Sequence, residues 1–296
     1  MSTAFSTATT VDEALAALAG GARPVAGGTD LVVGARQGKA LLPESLVAIH
    51  RVAELRGVED VDGGLRLGPL ATHAEVVAHR SVRERFTALA DASAIVGSHA
   101  TRAHGTIGGN LMNASPAMET GGPLLCLDAT VSLRSATGTR AVAVGDLFAG
   151  PGSTVAASDE LLVSVDLPPP APGTGSAYVR LEYRRQMEIA VVGATAVVAL
   201  EAGTVTGARL AITALAPTIR RVPEAEDALL GTTAEGGAVT AAARAAADGS
   251  FPISDVRASE RYRKAMAEVI ARRAIGVALA RARGQDVPVP ASGSHA

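Results

Sequence analysis

The chain has 296 residues, 48% hydrophobic and 19% charged, a balance that suits a globular protein with room for two or three buried cores. A formal net charge of -2, an aromatic content of 2% and the lack of Trp exclude the basic face and stacking platforms of a nucleic-acid binder. A single Cys, Cys126, excludes an internal disulfide and any iron–sulfur cluster held by Cys ligands of this chain alone.

Residues 1–10 show neither a basic nor an apolar leader segment and do not read as a signal peptide. The longest apolar stretch, residues 189–200, falls short of the ~20 residues needed to cross a bilayer, so a cytoplasmic location is expected. Thr10-Val11-Asp12-Glu13 has capping-box spacing and predicts a helix that stops at Gly20-Gly21. Pro24-Val25-Ala26 reads as a short strand leading into Gly27-Gly28-Thr29-Asp30. Strands are expected at 46–49 and 65–67. Thr72-His73-Ala74-Glu75 and Ser81-Val82-Arg83-Glu84 are two further capping boxes, the second predicting a helix to about Val96. A glycine loop at Thr106-Ile107-Gly108-Gly109-Asn110 follows. Residues 129–134 and 140–144 predict a hairpin around Thr137-Gly138, and 161–167 a further strand.

The proline run at 168–175 predicts a linker, because consecutive prolines are extended and cannot donate to a sheet. Beyond it, strands are expected at 177–182, 191–200 and 205–215, the last two joined by a turn at Glu201-Ala202-Gly203. The pattern turns helical from Pro223, with its longest stretch at 259–283, and the tail from Gly284 reads as disordered. The expected domains are therefore 1–167, 177–284 beyond a linker at 168–176, and a tail at 285–296.

Glycine pairs let a backbone approach a ligand closely, and successive amides in such turns cradle an anion. Neither loop carries the Gly-Lys-Ser/Thr ending of a P-loop or the spacing of a Rossmann fingerprint. What remains is a nucleotide cradle of another kind, with a pyrophosphate gripped from both sides, or two structural turns. The six His show no metal-ligand spacing, and surface or capping positions are expected for His73, His79, His99 and His104. Cys126, in Leu124-Leu125-Cys126-Leu127, reads as a small buried residue. No residue stands out as a catalytic acid, base or metal ligand.

Pro24-Val25-Ala26-Gly27-Gly28-Thr29-Asp30-Leu31 and Thr106-Ile107-Gly108-Gly109-Asn110 resemble the paired flavin-binding motifs of the FAD subunit of molybdenum hydroxylases, the xanthine dehydrogenase and aerobic carbon monoxide dehydrogenase type. The resemblance extends through Asn113-Ala114-Ser115-Pro116, Asp159-Glu160-Leu161-Leu162, Tyr183-Arg184-Arg185 and Ser254-Asp255-Val256-Arg257. It implies an α+β fold: a non-Rossmann, two-subdomain FAD-binding domain of the PCMH type, then a small domain with a three-stranded sheet and helices. It implies FAD on this chain, bound at its pyrophosphate by residues 24–31, with Val96, Thr106, Ile107, Gly108, Gly109 and Asn110 on the other side. Glu119 stands where the family usually has Asp at the adenosine end, and Leu162 and Arg180 match positions near the isoalloxazine. Arg180 replaces a common Lys, which keeps a cation in a different geometry. Arg102-Ala103-His104-Gly105 departs from the family's Arg-Asn-Arg-Gly.

The resemblance further implies partners: a large subunit with the molybdenum cofactor and a small one with two [2Fe–2S] clusters, as a dimer of heterotrimers. A stand-alone flavoprotein reductase, like UDP-N-acetylenolpyruvoylglucosamine reductase, is the alternative on the same fold. A non-catalytic scaffold with structural glycine turns is the third reading. Asp30 reads as a cofactor contact or a helix cap, Tyr183 as core or flavin-proximal, and Arg184 and Arg185 as ion-pairing residues.

Overall fold

The computed structural model describes residues 3–38 and 40–291. Its first unit is a parallel three-stranded sheet, ordered β1-β3-β2, from β1 (Ala4–Thr7), β2 (Arg23–Val25) and β3 (Ser45–Ala48). The helix α1 (Val11–Ala19) is the crossover between β1 and β2, and its apolar stripe of Ala14, Leu15 and Leu18 packs with Val47, Ile49 and Val52. The short α2 (Leu31–Arg36) follows β2 and buries none of its residues.

The second unit is an antiparallel sheet ordered β4-β5-β10-β6-β7. It consists of β4 (Val58–Val61), β5 (Gly64–Leu67), β6 (Thr130–Ser135), β7 (Gly138–Ala143) and β10 (Leu161–Leu167). The helices between β5 and β6 are α3 (His73–Ala78), α4 (Arg80–Arg85), α5 (Thr87–Ile95), α6 (His99–His104), α7 (Ile107–Asn113) and α8 (Gly121–Cys126). Phe86, Leu89, Ile107 and Leu124 from this helical layer share one core with Leu67, Val131, Leu133 and Val165 of the sheet. After β7 come α9 (Val144–Leu147) and a small hairpin of β8 (Phe148–Gly150) and β9 (Ser153–Thr154).

The third unit is the sheet β11-β12-β13-β14: β11 (Thr174–Leu181), β12 (Val192–Glu201), β13 (Thr204–Thr213) and the two-residue β14 (Arg220–Arg221). The helices α10 (Pro223–Asp227), α11 (Gly236–Asp248) and α12 (Glu260–Ala282) complete it. Strands β11 and β12 are buried on both faces, which is why they read as nearly continuous apolar runs. The helix α12 covers one face, and α5 and α8 touch the other.

The structure corrects several expectations. Ser81 does not cap a helix; it is the second residue of α4, and its hydroxyl donates to Asp60 at 2.7 Å. The single helix expected to Val96 is two, because Phe86 leaves the helical region (φ -115, ψ 46) to bury its ring fully. Strand β11 begins at Thr174, inside the stretch read as linker. The tail is ordered as far as it is described: Ala291 N–H donates to Asp91 at 2.8 Å, and Val287 packs on the third core. Residues 292–296 of that tail lie outside the described residues. Strands β1, β4 and β14 carried too few alternating positions to be read from the sequence. Cys126 is buried as expected, and burial pushes its thiol far above the usual range.

Candidate functional site

Strand β2 brings Pro24 and Val25 to the edge of the small sheet, where Ile49 N–H bonds the Val25 carbonyl at 3.0 Å. The chain then turns through Ala26, Gly27, Gly28, Thr29 and Asp30 into Leu31, the first residue of α2. Gly28 sits at φ +67, a conformation that strains any side chain. A Cβ at Gly27 would overlap the carbonyl oxygen of His104, so the turn lies backbone to backbone on the end of α6. Among the described residues, the N–H groups of Gly27, Gly28, Thr29 and Asp30 have no hydrogen-bond partner. Four consecutive free amides in one turn are able to cradle an anion. Asp30 occupies the cap position of α2, yet its side chain makes no cap bond.

The second glycine motif is built differently from the expectation. Thr106 caps α7, its hydroxyl accepting from Gly109 N–H at 3.0 Å. Ile107 N–H bonds the Ala71 carbonyl at 3.0 Å, Gly108 N–H the Pro69 carbonyl at 2.9 Å, and Asn110 N–H the Thr106 carbonyl at 2.9 Å. The amides of residues 107–110 are thus occupied, that of Thr106 has no partner among the described residues, and Ile107 and Gly108 are buried. The expectation of two facing rows of free amides is therefore corrected: the first turn keeps four, and the second motif keeps only that of Thr106. Gly108 and Gly109 differ in purpose. A Cβ at Gly108 would run into Pro69 at 2.5 Å, whereas one at Gly109 meets only the Thr106 hydroxyl, at 3.0 Å.

The two motifs meet at Gly105. An ideal Cβ there would lie 3.4 Å from His73 Cδ2 and 3.5 Å from Thr29 Oγ1. His73, expected at the surface, is 2% exposed, and burial together with the Arg102 charge pushes its imidazole down to about 4. No local signal announced this, because the residues that bury His73 lie far from it in the chain.

From α7 a line of polar contacts leads to the third unit. Asn110 Oδ1 accepts from the Thr120 hydroxyl at 2.6 Å, and Glu119 precedes that threonine. The Glu119 carboxylate takes the Tyr178 hydroxyl on one oxygen and the Arg180 guanidinium on the other. Burial pushes the Glu119 carboxyl up, against the opposing pull of Arg180, and also drives the Tyr178 phenol well above its usual range. Tyr178 and Arg180 alternate on β11 and so share one face. Arg102 lies close enough to Arg180 for their charges to repel, and donates to the Val96 carbonyl at 3.0 Å. Val96, Asn110, Glu119 and Arg180 therefore belong to one connected region beside the glycine turns. Leu162 stands outside this line of contacts, in the core of the second unit on the strand paired with β6. Tyr183 is exposed and donates to the Arg257 carbonyl, and Arg184 pairs with Glu188. Among the described residues there is no cluster of His, Cys, Asp and Glu fit to hold a metal, and no helix long and apolar enough to cross a membrane.

The non-Rossmann α+β fold thus presents a strand–turn–helix with free amides, an arrangement suited to an anionic ligand. Residues 1–170 match the family of the FAD binding domain in molybdopterin dehydrogenase, and residues 177–278 match the CO dehydrogenase flavoprotein C-terminal domain. The chain belongs to this family of flavoprotein subunits. It is 33% identical over 282 residues to the 6-hydroxypseudooxynicotine dehydrogenase complex subunit alpha of Paenarthrobacter nicotinovorans, covering 93% of this chain and 94% of that one. It is 29% identical to the xanthine dehydrogenase FAD-binding subunit of Escherichia coli O157:H7, covering 89% of this chain and 91% of that one. The solved carbon monoxide dehydrogenase of Hydrogenophaga pseudoflava superposes with a TM-score of 0.91 at 31% identity, covering 95% of this chain and 98% of that one.

Proposed function

We propose that this chain is the FAD-carrying subunit of a cytoplasmic molybdenum hydroxylase, the point at which electrons leave the complex. Substrate oxidation belongs to a large molybdenum-cofactor partner, and a small partner with [2Fe–2S] clusters relays the electrons here. The assembly proposed is a dimer of such heterotrimers. The observation that carries this reading is the row of four free amides at Gly27–Asp30, set in a chain that matches a flavin-subunit family along most of its length. That family membership favours it over a stand-alone reductase.

The residues present fit the cofactor. The Gly27–Asp30 amides and the Thr29 hydroxyl would hold the pyrophosphate, and the missing side chain at Gly27 lets the turn pack directly on the His104 carbonyl. Thr106 and Asn110 offer polar edges beside it, and Arg180, locked by Glu119, offers a fixed cation near the flavin. Val96 and Leu162 are proposed apolar contacts, with Pro24, Val25, Ala26 and Leu31 shaping the turn. FAD supplies, when bound, a centre that accepts electrons singly and delivers them in pairs. We also propose the boundary at 168–173 as the division between the FAD-binding and C-terminal domains, to be tested by limited proteolysis of the free chain.

Affinity purification of the tagged chain from its native host, with metal and flavin analysis of what it retains, tests the assignment. Recovery of one large molybdenum-bearing and one small iron–sulfur partner is expected. Recovery of the chain with flavin and no metal-bearing partner would favour the stand-alone reductase instead.

A further inference from the structure

His73 is the least explained polar residue of the molecule. It opens α3, where its own N–H bonds the Gly105 carbonyl at 3.1 Å and fixes the imidazole at the junction of the two glycine motifs. The ring is 2% exposed, and its Nδ1 is sealed from solvent with no partner. Among the described residues, Nε2 has no protein partner either. The large majority of buried side-chain polar atoms have a hydrogen-bond partner, and Nε2 finds none among the described residues. The Cδ2 atom of the ring, bonded to Nε2, lies 3.4 Å from an ideal Cβ on Gly105, and the Thr29 hydroxyl lies 3.5 Å from the same point. The turn that holds Thr29 has four free amides, whereas the amides of residues 107–110 in the second motif are used and only that of Thr106 is without a partner among the described residues. A ligand on the turn would find few backbone donors in the second motif, and the imidazole stands close to the Thr29 hydroxyl.

We propose that His73 closes the anion cradle, donating from Nε2 to a phosphate oxygen of the dinucleotide whose other side rests on Gly27–Asp30. This inference rests on the FAD reading given above. The donor is a neutral imidazole, kept so by burial and by Arg102 on α6. Glu75, the acidic neighbour on α3, is committed to Thr72 and leaves the ring uncompensated. Nδ1 is left as the sealed acceptor, which makes the Nε2–H tautomer the one an anion selects. His73 is a positioning residue for the pyrophosphate, with no part in electron transfer.

The test uses the full chain stripped of flavin and titrated with FAD by fluorescence, as wild type, His73→Gln and His73→Phe. Gln places an amide donor near the site of Nε2; Phe fills the space without a donor. His73→Phe is expected to weaken FAD about 10- to 100-fold, the range for a lost hydrogen bond to a charged group, while His73→Gln restores most of it. ADP as competitor weakens in parallel, and adenosine does not. A folded His73→Phe chain that binds FAD as tightly as wild type overturns the inference. Should His73→Phe not fold, the imidazole ¹⁵N resonances of the wild-type chain decide. A His73 Nε2 signal that moves on FAD addition supports the contact, and one that stays fixed overturns it. A wild-type chain that takes up no FAD overturns the underlying reading and this one with it.

Discussion

Arg180 and Glu119 pair across the join between β11 and the segment before α8, with side chains only 2% and 7% exposed. Each is useful only while the other is present, because a buried charge without its partner is far costlier than the pair. Glu119→Gln is therefore expected to destabilise the chain by about 3–5 kcal/mol, and Tyr178→Phe by less, about 1.5–3 kcal/mol. Replacing both charged partners by apolar residues should cost less than Glu119→Gln alone. Urea denaturation of the three variants measures this, and equal losses for the single and double changes would contradict it.

The two glycine motifs should respond differently to one added methyl group. Gly27→Ala pushes a Cβ into the His104 carbonyl and should dislodge the turn, abolishing flavin retention in a chain that still folds. Gly109→Ala meets only the Thr106 hydroxyl and should cost about 1 kcal/mol or less. Flavin content after gel filtration, beside the thermal midpoint, separates the two cases. Full flavin occupancy in folded Gly27→Ala would place the cradle elsewhere.

His73 also makes stability depend on pH. Its folded imidazole titrates at about 4, against 6.5 for the free group, so between those values the unfolded chain binds a proton that the folded chain refuses. The stability from the neutral buried ring is complete above the unfolded value and is lost as pH falls towards about 4. The loss from His73 between ~pH 7.5 and ~pH 4.5 should be about 2–3 kcal/mol. Denaturation of wild type and His73→Gln at both pH values isolates it. The variant should show a slope shallower by that amount, and equal slopes would refute the burial.

The end of the chain carries stability of its own. Asp91 is fully buried and accepts from Arg281, from Ala291 N–H and from Tyr178 N–H. Arg281 in turn donates to the carbonyls of Val287 and Pro288. Truncation after Gln285 removes the Ala291 N–H and the two carbonyls and should cost about 1–3 kcal/mol, read from the urea midpoint. A truncated chain of unchanged stability would show that the segment is dispensable.

Legibility in the sequence followed the range of the interactions. The Thr72 box formed both of its bonds, because its partners lie three residues apart. Ser81-Val82-Arg83-Glu84 has the same spacing and misleads, since Asp60, twenty-one residues away, claims the hydroxyl. The first glycine turn was legible because a strand and a short helix flank it directly. That the Ile107 and Gly108 amides are consumed was not, for their acceptors Ala71 and Pro69 lie far upstream. Glu119 and Arg180 were singled out separately through the family resemblance; that they bond each other is a fact of packing, sixty-one residues apart in sequence. The ordered tail depends on Asp91, two hundred residues before Ala291, and no local pattern could foretell it.

The most direct test of the account is the flavin content of the purified full chain, released by heat or acid and identified by chromatography, with molybdenum and iron measured on the same sample. The account predicts one FAD per chain, released without covalent attachment, no molybdenum or iron, and loss of the flavin in Gly27→Ala. A folded chain that carries no FAD when supplied with it, or one that holds molybdenum or iron of its own, would contradict it.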